Sequence, residues 1–254
     1  MSSRAQEDER LLCKIKCIHA EKRSCYGSPR IHAELKEQGE HCGRKRVARL
    51  MRENDIQAKH KRKFKATTDS QHKFPVAPNL LEQNFSVSEP NRIWTADISY
   101  CWTLEGWVYL AVVLDIYSRK IVGWAIGERM TGKLVINAFL MAYWSRKPKA
   151  GLIHHSDKGS QYASRDFQKI LADFGVIPSM SGKGNCFDNA VTETFFHTLK
   201  TELMFDYVFE TREEAKSAIF EYIEIFYNRE RRHSTLGYCS PVKFEQYWEL
   251  QNVA

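Results

Sequence analysis

The chain has 254 residues, and its 43% hydrophobic and 12% aromatic content excludes a disordered protein and is sufficient for a substantial core. Its longest apolar run, WVYLAVVL at 107–114, is far shorter than the roughly 20 residues of a membrane span, so we expect a cytoplasmic protein with no membrane partner. The seven scattered cysteines contain no CxxC pair and indicate neither a disulfide framework nor a zinc ribbon.

The net charge of +7 is concentrated at the front of the chain. Residues 1–70 carry 18 Lys and Arg against 10 Asp and Glu, a net charge of +8, whereas residues 71–254 carry 20 against 21, a net charge of −1. Because neutralising phosphates drives sequence-independent affinity for nucleic acid, this asymmetry predicts a polyanion-binding module on a nearly neutral body. A merely solubilising basic face is the alternative.

Residues 28–56 predict two short helices joined by a Gly-containing turn, which suggests a helix-turn-helix within a basic module spanning residues 1–65. The second helix carries five basic residues: Arg44, Lys45, Arg46, Arg49 and Arg52. This charge is enough for a helix that lies on a DNA backbone or in a groove, although paired helices also serve as plain scaffolding.

The proline-containing stretch at 66–88 predicts a linker, and a folded core is expected at 89–208. Three strand-like runs, IWTADISY, WVYLAVVLD and KIVGWAIG, are joined by short links, which predicts an antiparallel meander. Helices and strands then alternate, with strands at LIHHS and VIPSM. The order βββαβαβα indicates an α/β fold with a mixed sheet of the ribonuclease H-like type, followed by a C-terminal helical extension at 209–254.

Three carboxylates have local settings that suit metal ligands. Asp97 projects from a largely apolar strand, Asp157 ends a strand, and Glu193 lies in the helix-like run DNAVTETFFHTLK. Spacing alone selects none of them, because four Asp/Glu pairs in the chain are 36 residues apart. Hard divalent cations prefer oxygen ligands, and two of them can stabilise both the attacking and the leaving oxygen of a phosphodiester displacement. The settings therefore predict metal-dependent cutting and joining of nucleic acid.

Three basic side chains around Glu193 are candidate DNA contacts. His197 and Lys200 follow it by one and two helical turns and should project outward on the same face, where an ordinary solvated stripe is the alternative. Lys183 lies in the SGKGN loop before the helix, whose glycines suit a segment that orders when DNA binds, although a plain turn also explains them.

Three segments resemble the DDE transposases of bacterial insertion sequences, in the second reading frame of the insertion-sequence-three group. They are HSDKGSQY (155–162), GKGNCFDNAVTETFFHTLKTE (182–202) and YNRERRHSTLGYCSPVKF (227–244). The resemblance covers roughly residues 20 to 250, and retroviral integrases are more distant relatives. It implies an integrase core in which Asp97, Asp157 and Glu193 hold two Mg²⁺ or Mn²⁺ ions, with Lys200 matching a basic residue of the family.

The same resemblance implies an insertion-sequence transposase that cleaves DNA ends and transfers the freed 3′-hydroxyl to a second phosphodiester. Its partners would be the double-stranded DNA of element ends and target, and further copies of the chain on DNA. An upstream-frame helix-turn-helix protein, acting separately or as a fusion, would be a further partner, and the location would be the bacterial nucleoid. A hydrolysis-only ribonuclease H-like nuclease and a non-catalytic DNA-binding regulator are the alternatives.

Overall fold

The computed structural model describes residues 2–59, 74–82, 84–182, 189–205 and 207–252. The chain divides into two compact units. The first comprises Met1–Arg62 with Arg231–Ser240, and the second comprises Lys63–Glu230 with Pro241–Ala254. No helix in the described ranges combines the length and the apolar character needed to cross a bilayer.

Helices build the first unit: α1 (Ser3–Glu21), α2 (Ser28–Glu37) and α3 (Arg44–Glu53). The two short helices predicted from the sequence are α2 and α3, which confirms the helical N-terminal region. Helix α1 was not predicted. Its only buried residues are Leu11, Ile15 and Ile18, and most of the remaining positions are polar or charged, so its apolar stripe is narrow and the sequence signal is weak.

The segment Arg231–Ser240, which contains a short 3₁₀ turn at Ser234–Leu236, also belongs to the first unit. The Arg232 backbone N–H donates to the Tyr26 hydroxyl at 2.8 Å, and its guanidinium donates to Glu34 at 2.9 Å. A local hydrophobic pattern cannot show that a distant segment completes a helical unit. The domain boundaries expected from the sequence remain a prediction.

The second unit contains a five-stranded sheet in the order β3-β2-β1-β4-β5. Its strands are β1 (Ile93–Thr103), β2 (Gly106–Asp115), β3 (Ile121–Gly127), β4 (Ile153–Ser156) and β5 (Ile177–Met180). The first three strands pair antiparallel, and β4 pairs parallel with both β1 and β5. This arrangement confirms the predicted meander and the mixed sheet.

Helices cover the sheet, and the alternation of side chains along β1 separates its two faces. They are α4 (Gly132–Arg146), α5 (Arg165–Asp173), α6 (Ala190–Leu199), α7 (Arg212–Glu221) and α8 (Pro241–Asn252), with π-helical continuations at Lys200–Met204 after α6 and Tyr222–Glu230 after α7. Trp94 packs with Phe139 of α4, which in turn packs with Phe167 of α5. Thr95, pointing the other way, bonds to α6. The element order is the predicted βββαβαβα.

A buried carboxylate, Glu245, links helix α8 to the rest of the second unit. Glu245 is 4% exposed and accepts hydrogen bonds from Ser118 at 2.8 Å, Lys120 at 2.9 Å and both terminal nitrogens of Arg146 at 2.9 and 2.7 Å. Burial alone would raise the pKa of Glu245, but the neighbouring cations outweigh it and lower the pKa. The network is therefore built around an ionised carboxylate.

Replacing Glu245 by alanine should destabilise the second unit by about 3 to 5 kcal/mol, because the largely buried charge of Arg146 would lose its hydrogen-bonded carboxylate and keep only Asp115, at 4.0 Å. Urea denaturation followed by circular dichroism measures the loss. The exposed Glu249 on the same helix is the matched control, and Glu249→Ala should change stability by less than about 0.5 kcal/mol. Equal effects of the two substitutions would contradict this account of how α8 is attached.

Candidate active site

Two of the predicted carboxylates lie at the same level on neighbouring parallel strands. The register between β1 and β4 ends with Ala96 opposite Ser156, and the next residues are Asp97, within β1, and Asp157, just after the end of β4. Because β4 ends at Ser156, β1 continues without this neighbour from Asp97 onward. The sheet opens at this point, and the opening is lined by two acidic side chains.

The carboxylate of Asp97 is oriented by the backbone N–H of the next residue and is close to other negative charges. Its Oδ1 accepts a hydrogen bond from the Ile98 N–H at 2.7 Å. Burial raises the pKa of Asp97 well above its usual range, and the negative charges of Asp157 and Glu193 raise it further. All three predicted carboxylates therefore interact in one place.

Asp157 is fixed by a tight turn in the HSDKGSQY segment. Its Oδ1 accepts a hydrogen bond from the Gly159 N–H at 2.9 Å. A Cβ at position 159 would lie 2.9 Å from that same oxygen, so a side chain there would push the carboxylate away. Glycine at this position is what allows the aspartate to fold back over the loop.

Glu193 is brought to the opening by the attachment of α6 to β1. The hydroxyl of Thr192 donates to the hydroxyl of Thr95 at 2.7 Å, and both side chains are fully buried. The buried Asn189 amide donates to the Ala96 carbonyl at 3.3 Å. The pKa of Glu193 is raised by burial and then by Asp157. Neither Thr192 nor Asn189 was predicted from the sequence, in which the alternation along β1 indicates only that Thr95 shares a strand face with Asp97.

The donor set fits a divalent cation in ligand type and in charge. Carboxylate oxygens are the ligands that Mg²⁺ prefers, and a cation would relieve the repulsion that raises the pKa of Asp97. Within the described ranges no three His, Cys, Asp or Glu side chains form a group that could hold a metal ion as they stand, so the metal-binding role of the three carboxylates remains a prediction.

Lys200 lies beside the carboxylates and is buried instead of projecting outward as expected. It is 7% exposed, and its Nζ lies 5.0 Å from the centre of the Tyr100 ring. Burial lowers the pKa of Lys200, and the negative charge of Asp97 opposes this shift. His197, one turn earlier on α6, is half-buried, and Lys183 lies outside the described residues.

The two histidines before Asp157 belong to the protein interior. His154 packs against Phe139, and burial lowers its pKa to about 3. His155 bonds through Nδ1 to the Ser179 hydroxyl at 2.8 Å. Tyr162 is also buried, and burial followed by Asp97 and Asp157 raises the pKa of its hydroxyl. These three side chains therefore belong to the packing around the end of β4.

In the first unit, two of the five basic residues of α3 are already paired with acids of the same unit. Arg46 donates to Asp8 at 2.6 Å and to Glu7 at 3.1 Å. Arg49 donates to the other oxygen of Asp8 at 2.7 Å and to Glu53 at 2.9 Å. These two guanidiniums hold α3 against α1.

The remaining basic residues form a separate, exposed sector of α3. At about 100° per residue, Arg44, Ala48, Arg52 and Lys45 follow one another within one quarter to one third of the helix circumference, and all four are exposed. The buried residues Leu50, Val47 and Met51 form a separate sector, at about 240° to 340° around the helix from Arg44. Helix α3 thus has one sector for packing, one for internal ion pairs and one for solvent.

Three models of protein families match the chain. An HTH-like domain matches residues 6–64, and two models, both described as integrase core domain, match residues 87–186 and 193–247. Among solved structures, the simian T-cell lymphotropic virus intasome in complex with PP2A regulatory subunit B56 gamma resembles the chain with a TM-score of 0.53 and 16% identity. The match covers 91% of this chain and 74% of that chain, and it shows a shared fold.

Two curated relatives are much closer in sequence. An insertion element IS600 uncharacterized 31 kDa protein of Shigella sonnei is 52% identical over 98% of this chain and 92% of its own length. Transposase InsF for insertion sequence IS3A of Escherichia coli (strain K12) is 46% identical over 87% of this chain and 76% of its own length. With its HTH-like and integrase core domains, the chain belongs to the family of IS3 insertion-sequence transposases.

Proposed function

We propose that the chain catalyses metal-dependent cleavage of DNA ends and strand transfer, with Asp97, Asp157 and Glu193 as its catalytic and metal-binding carboxylates. The observation that carries the proposal is the gathering of these three acids from separate elements, where Asp157 and Glu193 both raise the pKa of Asp97. Such clustering of like charge at a partly buried position is typical of functional sites. Membership of a transposase family supports the same reading.

The chemistry consists of two displacements at phosphorus. In the first, water attacks a phosphodiester at the element end, the P–O3′ bond breaks, and a 3′-hydroxyl and a 5′-phosphate result. In the second, this 3′-oxygen attacks another phosphodiester, a new P–O bond forms, and the displaced strand leaves with its own 3′-hydroxyl. Both steps move negative charge between an entering and a leaving oxygen, so one carboxylate site can serve both.

Two bound Mg²⁺ or Mn²⁺ ions would stabilise the charge on the entering and leaving oxygens. The residues of the chain hold the ligands in place for this chemistry. The backbone N–H groups of Ile98 and Gly159 orient Asp97 and Asp157, and the bond between Thr192 and Thr95 sets α6 against β1 so that Glu193 faces them. The ammonium of Lys200 adds a positive charge on the same side, where a DNA phosphate would lie.

Double-stranded DNA of element ends and target is the proposed substrate, and the exposed sector of α3 is the proposed DNA contact of the first unit. Among the described residues, Arg44 and Lys45 make none of the ion pairs that occupy Arg46 and Arg49, and the small Ala48 between Arg44 and Arg52 permits close approach to a backbone. Oligomerisation on DNA, an upstream-frame partner and a nucleoid location remain parts of this proposal.

Replacing Asp157 by asparagine should abolish both cutting and joining while DNA binding is retained, because one ligand charge is removed without a change of shape. Labelled duplex ends incubated with the protein and Mg²⁺ should show a fall in both products of about 100-fold or more. Asp173→Asn, at an exposed position on α5, is the matched control and should leave both reactions intact. Cut ends that are never joined would favour a hydrolysis-only nuclease, and activity unaffected by Asp157→Asn would contradict the proposed site.

The two basic sectors of α3 should respond differently to mutation. Joint replacement of Arg44, Lys45 and Arg52 by alanine should weaken DNA binding and reduce the salt dependence of the binding constant by about one unit of slope per lost phosphate contact. Joint replacement of Arg46 and Arg49 should instead lower the thermal stability of the protein and leave the slope unchanged. Fluorescence anisotropy over a salt series measures the slope, and an equal reduction in both variants would refute the division into sectors.

A further inference from the structure

Tyr100 lies three residues beyond Asp97 on β1 and presents a firmly packed ring. It pairs in register with Tyr109 on β2. Its ring makes edge-to-face contacts with Trp107 at 5.0 Å and with Tyr109 at 6.4 Å between centroids. Aromatic contacts of this kind fix the plane of a ring, so the face of Tyr100 has a defined direction.

The ammonium of Lys200 lies over that ring. Its distance of 5.0 Å from the ring centre is within the range of about 6 Å over which the negative face of an aromatic ring attracts a cation. Lysine has a long, flexible side chain, and here it is 7% exposed. A contact that restrains the ammonium is therefore needed to keep it in one place.

The backbone at Lys200 is also unusual. Helix α6 widens into π-helical geometry at Lys200–Met204, and the Phe205 N–H donates to the Lys200 carbonyl at 2.9 Å. Single π-turns inside α-helices are frequent at functional sites, because they change the direction of the side chains that follow. The wider turn begins at Lys200, which remains on the face of α6 that carries Glu193 seven residues earlier.

The position of the ammonium relative to Asp97 completes the geometry. Tyr100 lies three residues beyond Asp97 on β1, so an ammonium 5.0 Å from the centre of its ring lies in the same part of the site as Asp97. A ring face attracts an ammonium without contributing a formal negative charge, so this contact does not neutralise the charge that a phosphate would meet.

We propose that Tyr100 is a positioning residue that holds the Lys200 ammonium beside Asp97 through the face of its ring, so that the scissile phosphate meets a cation already in place. The inference rests on the proposed function, because it assigns a role within the same site. Tyr100 acts through Lys200 and does not itself touch the reacting atoms.

A double-mutant cycle in single-turnover DNA-end cleavage with Mg²⁺ tests this role in the full chain. Tyr100→Leu should slow cleavage by about ten-fold, the size expected for the loss of a desolvated cation–π contact. Lys200→Gln should slow it at least as much, and the double variant should be no slower than Lys200→Gln alone. Tyr100→Phe should keep most of the rate, since phenylalanine retains the ring face.

Two further variants separate this role from a general effect on packing. Trp144→Leu, which removes a 61% exposed aromatic side chain of α4 that packs with Tyr143 and Phe174, should leave the rate unchanged. Pentafluorophenylalanine at position 100 keeps the shape of the ring and removes its negative face, so it should slow cleavage as Tyr100→Leu does even if the leucine variant folds poorly.

Additive losses in the cycle, or full activity with the fluorinated ring, would overturn the role of Tyr100. If the wild-type chain cleaves and Asp157→Asn does not, such a result counts against the role of Tyr100 alone. If the wild-type chain binds DNA but cleaves none, the proposed function fails, and the inference fails with it.

Discussion

The repulsion between three carboxylates held at one partly buried opening is the constraint on which the structure of the second unit depends. Burial and like charge both disfavour the ionised form of Asp97, so the protein must hold these groups together against an unfavourable electrostatic term. It does so with short local contacts to backbone N–H groups and with rigid elements behind them. The resulting site has an excess of negative charge, which suits a divalent cation and, through it, a phosphodiester.

The sheet topology explains why these residues meet although they are far apart in sequence. The short parallel strand β4 ends beside the middle of β1, so Asp157 leaves its strand next to Asp97. The aromatic core around Phe139 fixes both strands from one face. On the other face, the buried hydrogen bond from Thr192 to Thr95 attaches α6 to β1. Thr192 directly precedes Glu193, and Thr95 lies two residues before Asp97. The opening is thus set by elements that pack independently of it.

The order of strands and helices was predictable because hydrophobic periodicity is a local property, and the family was predictable because its motifs are contiguous sequence segments. Interactions between residues far apart in the sequence could not be predicted in this way. The charge of Arg46 and Arg49 was visible, but their pairing with Asp8, about 40 positions away, was not. Lys200 was expected on an outward helical stripe, but the face of α6 that carries it is turned inward, and Lys200 is buried beside Tyr100. Helix α1 was missed because its apolar stripe is narrow. The catalytic roles of the carboxylates remain a prediction.

The most direct test of the carboxylate site is anomalous X-ray scattering from crystals of the chain soaked in Mn²⁺. The account predicts two anomalous peaks between the side chains of Asp97, Asp157 and Glu193, with metal–oxygen distances of about 2.1 Å to carboxylate oxygens from all three. It also predicts that Asp157→Asn reduces or removes these peaks. Mn²⁺ bound elsewhere with none at this opening, or binding at the opening that does not involve the three carboxylates, would contradict it.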